Sequence, residues 1–360
     1  LSGVMEMIAR CGVSLWLVPA LAWTGAQMDF GFDASFLNNR LTGTFDWYRR
    51  NTKDMLVAGA TLPATLGASV PKSNSADMKT IGWELSLGWN DRLENGFSYW
   101  VKGVLSDYQA TITKYAGNDA GFYSQSDGDG KYYVGQKIGE IWGYHSNGLF
   151  QSDDEAATID QSELYAGKWG AGDVKYEDLD NDGKITKGEE TIYNPGDKSI
   201  IGNKTPRYQF GITVGFDYKN FDFEMFWQGT GKRDYMLSGA QFWGFTSQWD
   251  VPYTPALDYW TETNTDAYFP RPGWQNGGNR VTSDRYLQSA AYGRLKNLTV
   301  GYTIPKNLTT KWGISRLRLY VTGENLLTIT PLNDAFDPET LGGMTYPINR
   351  KVAIGLNLTL

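Results

Sequence analysis

Residues 210–228, FGITVGFDYKNFDFEMFWQ, contain two stretches in which apolar and polar side chains alternate, separated by Lys219-Asn220. Alternation with a period of two places one set of side chains on each face of a β-sheet, so each stretch predicts a strand. The short link between the stretches predicts a hairpin of antiparallel strands. Its apolar face carries Phe210, Ile212, Val214 and Phe216, followed by Phe221, Phe223, Met225 and Trp227.

The same alternation recurs along the chain and predicts nine strands. Several of these segments approach the ~9–11 residues with which a tilted strand crosses a bilayer. A chain with 42 glycines and 14% aromatic residues also favours an all-β protein with many turns. Besides 210–217 and 221–228, the alternating segments are 30–36, 41–47, 83–90, 97–105, 298–304, 317–322 and 352–360.

Composition excludes several classes of function. The net charge of -7 over 360 residues argues against nucleic acid as a partner, because phosphate binding needs a basic face. Cys11 is the only cysteine and His145 the only histidine, so a disulfide framework and histidine-rich zinc sites are ruled out. A Ser-His-Asp arrangement could form only through His145, which we interpret as an ordinary loop residue. We therefore predict that the chain is not an enzyme.

The lengths of the connections between the strands distinguish a soluble β-sandwich from an outer-membrane β-barrel. Alternation alone also suits a soluble sandwich. Short links at 38–39, 94–96 and 219–220, and a somewhat longer one at 305–315, alternate with very long links at about 50–80, 108–206, 230–291 and 326–349. Short turns at one end and long loops at the other are typical of outer-membrane β-barrels. No run of ~18 apolar residues predicts a membrane-spanning helix, so membrane residence would require such a barrel.

The number of strands bears on closure of the barrel. With nine antiparallel strands the first and last run the same way and cannot pair as antiparallel neighbours. Either a segment before Met28 adds a tenth strand, or the chain is part of a larger barrel. We predict an antiparallel up-and-down transmembrane β-barrel, present in part, with about nine to ten strands in residues 28–360. Residues 1–27 stay open between a signal-like segment and a strand.

Residues 178–189, DLDNDGKITKGE, match the calcium-loop pattern D-x-[DN]-x-[DN]-G-x5-E. Carboxylates at alternate positions, one carbonyl and a final Glu offer many oxygens at once, which favours Ca²⁺ over Mg²⁺. The flanking sequence lacks the helices of an EF-hand, so we expect a calcium-ordered segment within a larger loop. The alternative is an Asp/Asn/Gly-rich turn without metal. The predicted ligands are Asp178, Asp180, Asp182, Lys184 through its carbonyl, and Glu189.

Aromatic residues in the predicted long loops are candidates for ligand contacts. Their faces can stack on sugar rings, and pocket linings favour such side chains. The alternative is that they pack the loops against one another. The candidates are Trp142, Tyr144, Trp169, Trp243, Trp249, Trp260 and Trp274.

Several segments together resemble a known family. They include FLNNRLTGTFDWYRRNTKDML at 36–56, IGEIWGYHSNGLFQS at 138–152, RLKNLTVGYTIPKNL at 294–308, and ISRLRLYVTGENLLTIT at 314–330 followed by FDPE at 336–339. In order and spacing they resemble the C-terminal part of the SusC/RagA-type TonB-dependent outer-membrane transporters of Bacteroidetes. The resemblance covers roughly residues 30–360.

This resemblance implies a barrel of about 22 strands that imports a glycan or peptide across the cell outer membrane. It also implies an N-terminal plug, a TonB box that engages the TonB complex, and a SusD-like surface lipoprotein as a lid. Residues 1–27 match nothing expected before 30–36, and no plug or TonB box is recognisable, so we expect a plug-less C-terminal fragment that arises from a truncated gene, a frameshift or a miscalled start. The chain also ends in Leu360, where such barrels usually end in an aromatic residue.

Two functions follow as expectations. The first is nutrient import, with the calcium motif stiffening an external loop that meets the lid and with outer-membrane lipid around the barrel. The alternative is a soluble calcium-dependent glycan-binding or adhesion module. The two differ in what the apolar sheet face touches, which is lipid in the importer and a second protein layer in the module.

Overall fold

The computed structural model of the chain describes residues 12–22, 25–58, 65, 72–116, 118, 121, 132–166, 168–273, 276–341, 346 and 348–360. In chain order its strands are β1 (Gly12–Ala22), β2 (Gly25–Phe36), β3 (Leu41–Ala58), β4 (Lys72–Arg92), β5 (Ser98–Tyr115), β6 (Glu140–Tyr144), β7 (Ser146–Leu149), β8 (Val174–Tyr176), β9 (Lys198–Asn203), β10 (Arg207–Tyr218), β11 (Phe221–Lys232), β12 (Asp234–Met236), β13 (Leu287–Ser289), β14 (Tyr292–Thr303), β15 (Arg316–Ile329) and β16 (Lys351–Thr359).

The helices of the described residues are all short. They are α1 (Asp153–Ala156), α2 (Ser162–Tyr165), α3 (Ala240–Trp243) and α4 (Lys306–Thr309), with 3₁₀ turns at Thr254–Leu257, Gly277–Arg280 and Thr310–Trp312. None of the helices in the described ranges has the length and apolar character needed to cross a membrane.

Ten strands form one antiparallel sheet in the order β1-β2-β3-β4-β5-β10-β11-β14-β15-β16. Each strand pairs with the sheet strand that precedes it in the chain, as the up-and-down prediction requires. The tenth strand is β1, which pairs with β2 from Gly12 opposite Ser35 to Ala22 opposite Gly25. Within the described residues the sheet keeps two edges, at β1 and β16, so the prediction of a partial barrel is confirmed.

One face of this sheet is apolar from β2 to β16. The register aligns apolar side chains from strand to strand, since directly opposite residues point to the same face. Leu87 is 49% exposed and Ile354 83% exposed, and no second sheet of described residues covers them. A soluble sandwich would bury these residues, so the predicted soluble module does not describe this fold. One aligned row is Phe32, Phe45, Leu85, Leu105 and Phe210, and another is Tyr99, Phe216, Phe223, Val300, Val321 and Ile354.

The opposite face is polar and carries charged pairs. Arg318 on β15 donates two hydrogen bonds to the carboxylate of Asp222 on β11, in the two-pronged geometry that guanidinium and carboxylate favour. The pair crosses β14 directly above Gly301, where an added Cβ would collide with both side chains. Gly301 is therefore needed for the ion pair to connect β11 and β15 across β14.

The strands extend further toward the long-loop end than the alternation predicted. β3 continues to Ala58 and β4 begins at Lys72, so the connection is 59–71 instead of about 50–80. The other long connections are 116–206, 233–291 and 330–350. The short turns lie as predicted, with a left-handed backbone at Asn38, Asn39 and Lys219. Asn adopts this conformation more readily than most residues.

The only large core of the described residues lies in the long loops and not beneath the sheet. It draws on the connections β5–β10, β11–β14 and β15–β16, so the three loops share one packed interior. Small two-stranded sheets, β6 with β9, β7 with β8 and β12 with β13, frame it. Its larger members are Tyr144, Tyr165, Tyr176, Ile185, Phe242, Trp243, Trp260, Phe269, Tyr286, Leu332, Phe336 and Leu341.

Candidate functional site

The calcium-loop motif lies in the β5–β10 connection, between β8 and β9. Its backbone takes left-handed values at Asn181 and at Gly183, the position where the motif requires a sharp bend. Both oxygens of Asp178 accept backbone N–H groups, at 2.7 Å from Asn181 and 2.8 Å from Gly183. Ile185 is buried in the shared loop core and holds the far side of the turn. The loop is thus ordered by its own hydrogen bonds and by apolar packing.

Three carboxylates converge in this loop. Oxygens of Asp178, Asp180 and Asp197 lie within 4.8 Å of one another. Asp178 and Asp180 are predicted ligands, whereas Asp197 lies outside the motif and was missed. No signal within the pattern points to Asp197, because it enters through the turn at 194–197 that brings the chain back over the loop.

The other predicted ligands are placed differently. Asp182 and Glu189 do not belong to the group of three carboxylates. Asp182 accepts the backbone N–H of Lys184 at 2.8 Å. The backbone of Lys184 also forms an isolated parallel β-bridge with that of Asp160. The backbone N–H of Glu189 donates to the Asn194 carbonyl at 3.0 Å. Metal binding by Asp182, Lys184 and Glu189 stays a prediction. In the structure the third carboxylate beside Asp178 and Asp180 is that of Asp197.

Asp197 is fully buried, which is unusual for a carboxylate. Burial raises the pKa of Asp197, the backbone N–H groups of Thr186 and Leu179 lower it, and the nearby carboxylates Asp180 and Asp178 raise it again, so that the net shift is upward. A cation at this point would relieve the repulsion among the three carboxylates. The donors are all hard oxygens, so the site fits Ca²⁺ by its chemistry.

The candidate aromatic ligands divide by burial. Tyr144, Trp243 and Trp260 lie within the shared loop core, where other loop residues cover them. Trp169 packs against that core and donates its indole N–H to the Ala156 carbonyl at 2.8 Å. These four have packing roles in this structure, and ligand contact stays a prediction for all of them.

The three remaining candidates lie elsewhere. Trp142 is partly buried, and its indole N–H lies 3.3 Å from the Tyr133 hydroxyl. Trp249 is 84% exposed and therefore presents its ring to solvent. Trp274 lies outside the described residues. Ligand contact stays a prediction here as well, and exposure favours Trp249.

His145 joins three segments of the loops. Its Nδ1 lies 2.8 Å from Asp284 Oδ2 and its Nε2 2.7 Å from Ser199 Oγ. The other oxygen of Asp284 accepts the Ser146 backbone N–H at 3.0 Å. The connectivity is that of a Ser-His-Asp triad, but a triad also needs donors for an oxyanion, and Ser199 lies within the β6–β9 ladder opposite Gly143. We interpret His145 as a clamp between loop segments.

Replacing His145 with alanine is expected to loosen the β6–β9 region without unfolding the chain. Two partly exposed hydrogen bonds are lost, which costs about 1–2 kcal/mol locally. Hydrogen exchange of 140–149 and 198–203 should accelerate, while exchange in the hairpin 210–228 stays unchanged. A Tyr193→Phe variant, at a solvent-exposed position in the same connection, serves as the control. If residues 140–149 and 198–203 exchange at the same rate in His145→Ala and Tyr193→Phe, His145 does not hold these segments together.

The FDPE segment ties the β15–β16 connection to the sheet. Arg294 on β14 is only 3% exposed and lies 2.6 Å from Asp337 Oδ2 through Nη2. Its Nη1 lies 3.1 Å from Glu339 Oε1, an ion pair without hydrogen-bond alignment. Lys296 also pairs with Glu339, at 3.0 Å. Arg294 is opposite Gln228 on the polar face, so the segment folds over that face.

Comparison with known proteins identifies relatives of the chain. No protein-family model matches the chain. It is 30% identical over 369 residues to TonB-dependent receptor P3 of Formosa agariphila, covering 94% of this chain and 34% of that protein. It is 26% identical over 335 residues to TonB-dependent receptor SusC of Bacteroides thetaiotaomicron, covering 91% and 31%. The chain therefore spans about a third of the length of these curated relatives.

Solved structures show the same fold. The structure of the RagAB peptide transporter matches with a TM-score of 0.71 at 19% identity, over 97% of this chain and 38% of the other. The RagAB peptide importer in its open-open state gives 0.71 at 20% identity, over 98% and 38%. The relatives are receptors and transporters, which agrees with the prediction that the chain is not an enzyme. The chain belongs to the SusC/RagA-type TonB-dependent receptors, of which it forms part of the β-barrel and its long loops.

Proposed function

We propose that the chain serves in nutrient import across the outer membrane, as part of a TonB-energised barrel that takes up a glycan or a peptide. A SusD-like surface lipoprotein is the proposed partner above the long loops, and the TonB complex is the proposed energy source through a plug and TonB box. The names of the relatives support this proposal, since they are TonB-dependent receptors and one is SusC.

One observation carries the proposal. The apolar sheet face runs uncovered across the described strands, while the opposite face carries hydroxyls, amides and ion pairs such as Asp222 with Arg318. A face of this width is stable in water only if something apolar covers it. Lipid outside and a polar interior satisfy both faces of the sheet.

The test is partition and heat-modifiable migration. The purified chain should require detergent micelles for solubility, and it should migrate differently on a gel before and after boiling, because a membrane-embedded β-sheet resists detergent denaturation until it is heated. A monodisperse, detergent-free monomer would contradict the proposal and would restore the soluble module.

We further propose that Ca²⁺ binds Asp178, Asp180 and Asp197 and stiffens this external loop where it faces the lid. Asp197 accepts backbone N–H groups from two separate parts of the motif, Leu179 and Thr186, so a cation bound to Asp197 would stabilise the loop at two points. The buried Ile185 would transmit this order to the shared core. Chelation that leaves both loop order and lid binding unchanged would count against the role.

Two substitutions distinguish the Ca²⁺ ligands that the structure brings together from those that the sequence motif predicts. Asp197→Asn removes a charged ligand and is expected to weaken Ca²⁺ binding at least tenfold, because affinity follows the number of charged oxygens. Glu189→Gln, outside the converging group, should have a much smaller effect. Terbium luminescence competed by Ca²⁺ measures both affinities. The reverse order would favour the ligand set of the sequence motif.

Binding is also expected to depend on pH. The pKa of Asp197 is raised above its ordinary value, so its proton competes with the cation at less acidic pH than for an ordinary carboxylate. Ca²⁺ affinity should therefore be full at neutral pH and fall as the pH drops through this raised pKa. In Asp197→Asn the fall should move to lower pH. An unshifted profile in that variant would exclude Asp197 as the titrating ligand.

A further inference from the structure

A row of aromatic side chains crosses β2, β3 and β4 on the apolar face of the sheet. Phe30 lies opposite Trp47, and Trp47 lies opposite Trp83, so the three rings share that face. Aromatic residues form girdles where the hydrocarbon core of a membrane meets the headgroups. The residues of this face that lie beyond the row, toward the long loops, are therefore at the depth of the lipid headgroups.

Basic residues occupy this depth. Arg49 lies two positions beyond the aromatic row on β3, and Lys79 lies four positions beyond it on β4, so both stay on the face of the row. Thr111 on β5 is opposite Lys79, and an isolated β-bridge pairs Thr111 with Lys137 of the β5–β10 connection. Lys137 therefore belongs to the same face. We refer to Arg49, Lys79 and Lys137 as the basic patch.

The register brings the three cations within reach of one another. Arg49 is opposite Ile81 and Lys79 is opposite Asn51, so Arg49 and Lys79 are diagonal neighbours with Cα atoms about 7–8 Å apart. One strand separates Lys79 from Lys137, which corresponds to about 10 Å. Arginine and lysine side chains are long enough to span these gaps, so one anionic group can contact all three cations.

The charge of the basic patch is not compensated by the protein. No carboxylate of the described residues forms an ion pair with Arg49, Lys79 or Lys137, and Arg49 Nε lies 3.4 Å from the side-chain oxygen of Asn51. The carboxylates nearby have other partners: Asp54 pairs with Lys114, Asp77 with the Asp54 backbone N–H, Asp107 with Arg207, and Glu140 with the Tyr133 hydroxyl. Three clustered cations without a counter-charge attract an anion.

We propose that the basic patch binds the phosphorylated headgroup of a lipid in the leaflet on the long-loop side. A phosphate monoester carries about −1.5 to −2 charges and three acceptor oxygens, which suits three cations, and guanidinium binds phosphate through two parallel hydrogen bonds. Basic residues beside a membrane surface attract anionic headgroups. The aromatic row directly below the patch provides apolar surface for the acyl chains, which a soluble anion would leave unused. The inference rests on the membrane placement in the proposed function.

The test titrates the full chain in detergent micelles with two lipids and counts bound lipid by native mass spectrometry. Dimyristoyl phosphatidic acid carries a phosphate monoester, and dimyristoylglycerol has the same acyl chains without it. Phosphatidic acid should bind saturably and at least about tenfold more tightly than dimyristoylglycerol. A roughly tenfold rise in ionic strength should weaken its binding, because exposed charges are screened by salt. Inorganic phosphate at the same concentration should not displace it.

Variants assign the binding to the basic patch. Arg49→Gln and Lys79→Gln should each weaken binding of phosphatidic acid about fivefold, and the double variant about 25-fold. Lys79→Arg keeps the charge and should bind as the wild type does. The matched control is Arg50→Gln combined with Lys102→Gln, which removes the same charges from the polar face of β3 and β5 and should leave binding unchanged.

Heat-modifiable migration shows whether each variant is folded, and the ionic-strength dependence of the wild type needs no variant at all. Equal binding of the two lipids, displacement by inorganic phosphate, or the same loss in the patch and control double variants would each overturn the inference. Failure of the chain to enter micelles would instead contradict the import proposal. A chain that enters micelles but does not prefer phosphatidic acid contradicts only the lipid site, so the two failures are distinguishable.

Discussion

Leu87→Arg is expected to lower the stability of the membrane-inserted chain by about 1–3 kcal/mol, because a lipid-facing arginine costs about 2–4 kcal/mol at the bilayer midplane and about 0–1 kcal/mol near the interfaces, and Leu87 lies between these depths. Leu87 lies on β4 between Trp83 and Trp89, two aromatic residues on the same face that suit the interfacial girdles. At 49% exposure its side chain has little protein around it that could accommodate a charge.

The neighbouring residue gives the control for Leu87→Arg. Ser86 points to the polar face, so Ser86→Arg should cost less than about 1 kcal/mol because the interior is wet. The measurement is the folded fraction in lipid vesicles against urea, read from heat-modifiable migration. Equal losses for both variants would mean that the two faces of β4 do not differ in environment, which would contradict the barrel interpretation.

Arg294→Met is expected to cost about 3 kcal/mol, because removal of one partner from a buried ion-pair network leaves carboxylates without compensation. Arg294 pairs with Asp337 and Glu339 and also donates Nε to Thr328 Oγ1 at 2.8 Å. Methionine keeps the length of the side chain but provides no donor. The FDPE segment should then detach from β14.

An exposed pair on the same sheet provides the comparison for Arg294→Met. Lys351 and Glu324 lie 3.6 Å apart with side chains 69% and 48% exposed, so Lys351→Met should cost about 0–1 kcal/mol. Urea unfolding in micelles gives both values, and limited proteolysis of 330–350 reports detachment of the segment. If Arg294→Met costs no more than Lys351→Met, the network does not hold the loop.

The sheet could be predicted from the sequence because its signal is local. Alternation in 210–217 and 221–228 identifies both the strands and their faces, and the register confirms the pairing of Phe216 with Phe223. The extensions of β3 and β4 toward Ala58 and Lys72 could not be predicted. Those segments lack a sustained alternation of apolar and polar side chains, so their strands are specified by pairing with neighbours and not by a pattern of their own.

The loops were much harder to predict than the strands. The calcium motif identifies Asp178 and Asp180 by spacing, but Asp197 arrives through a turn whose path depends on the loop core. Tyr144, Trp243 and Trp260 show the same limit, because aromatic residues in a ligand pocket and in a loop core have the same sequence appearance.

The single hydrophobic interior shared by three loops has a consequence for biogenesis. Leu332, Phe336 and Leu341 complete an interior that begins with Tyr144, so its contacts have a very long sequence separation. Contacts of this kind form slowly because much chain must first be brought together. The hairpins can form early, whereas this interior is complete only when the β15–β16 connection has joined the other two loops. Closure of the shared loop core is thus expected to be a late step in the folding of the chain.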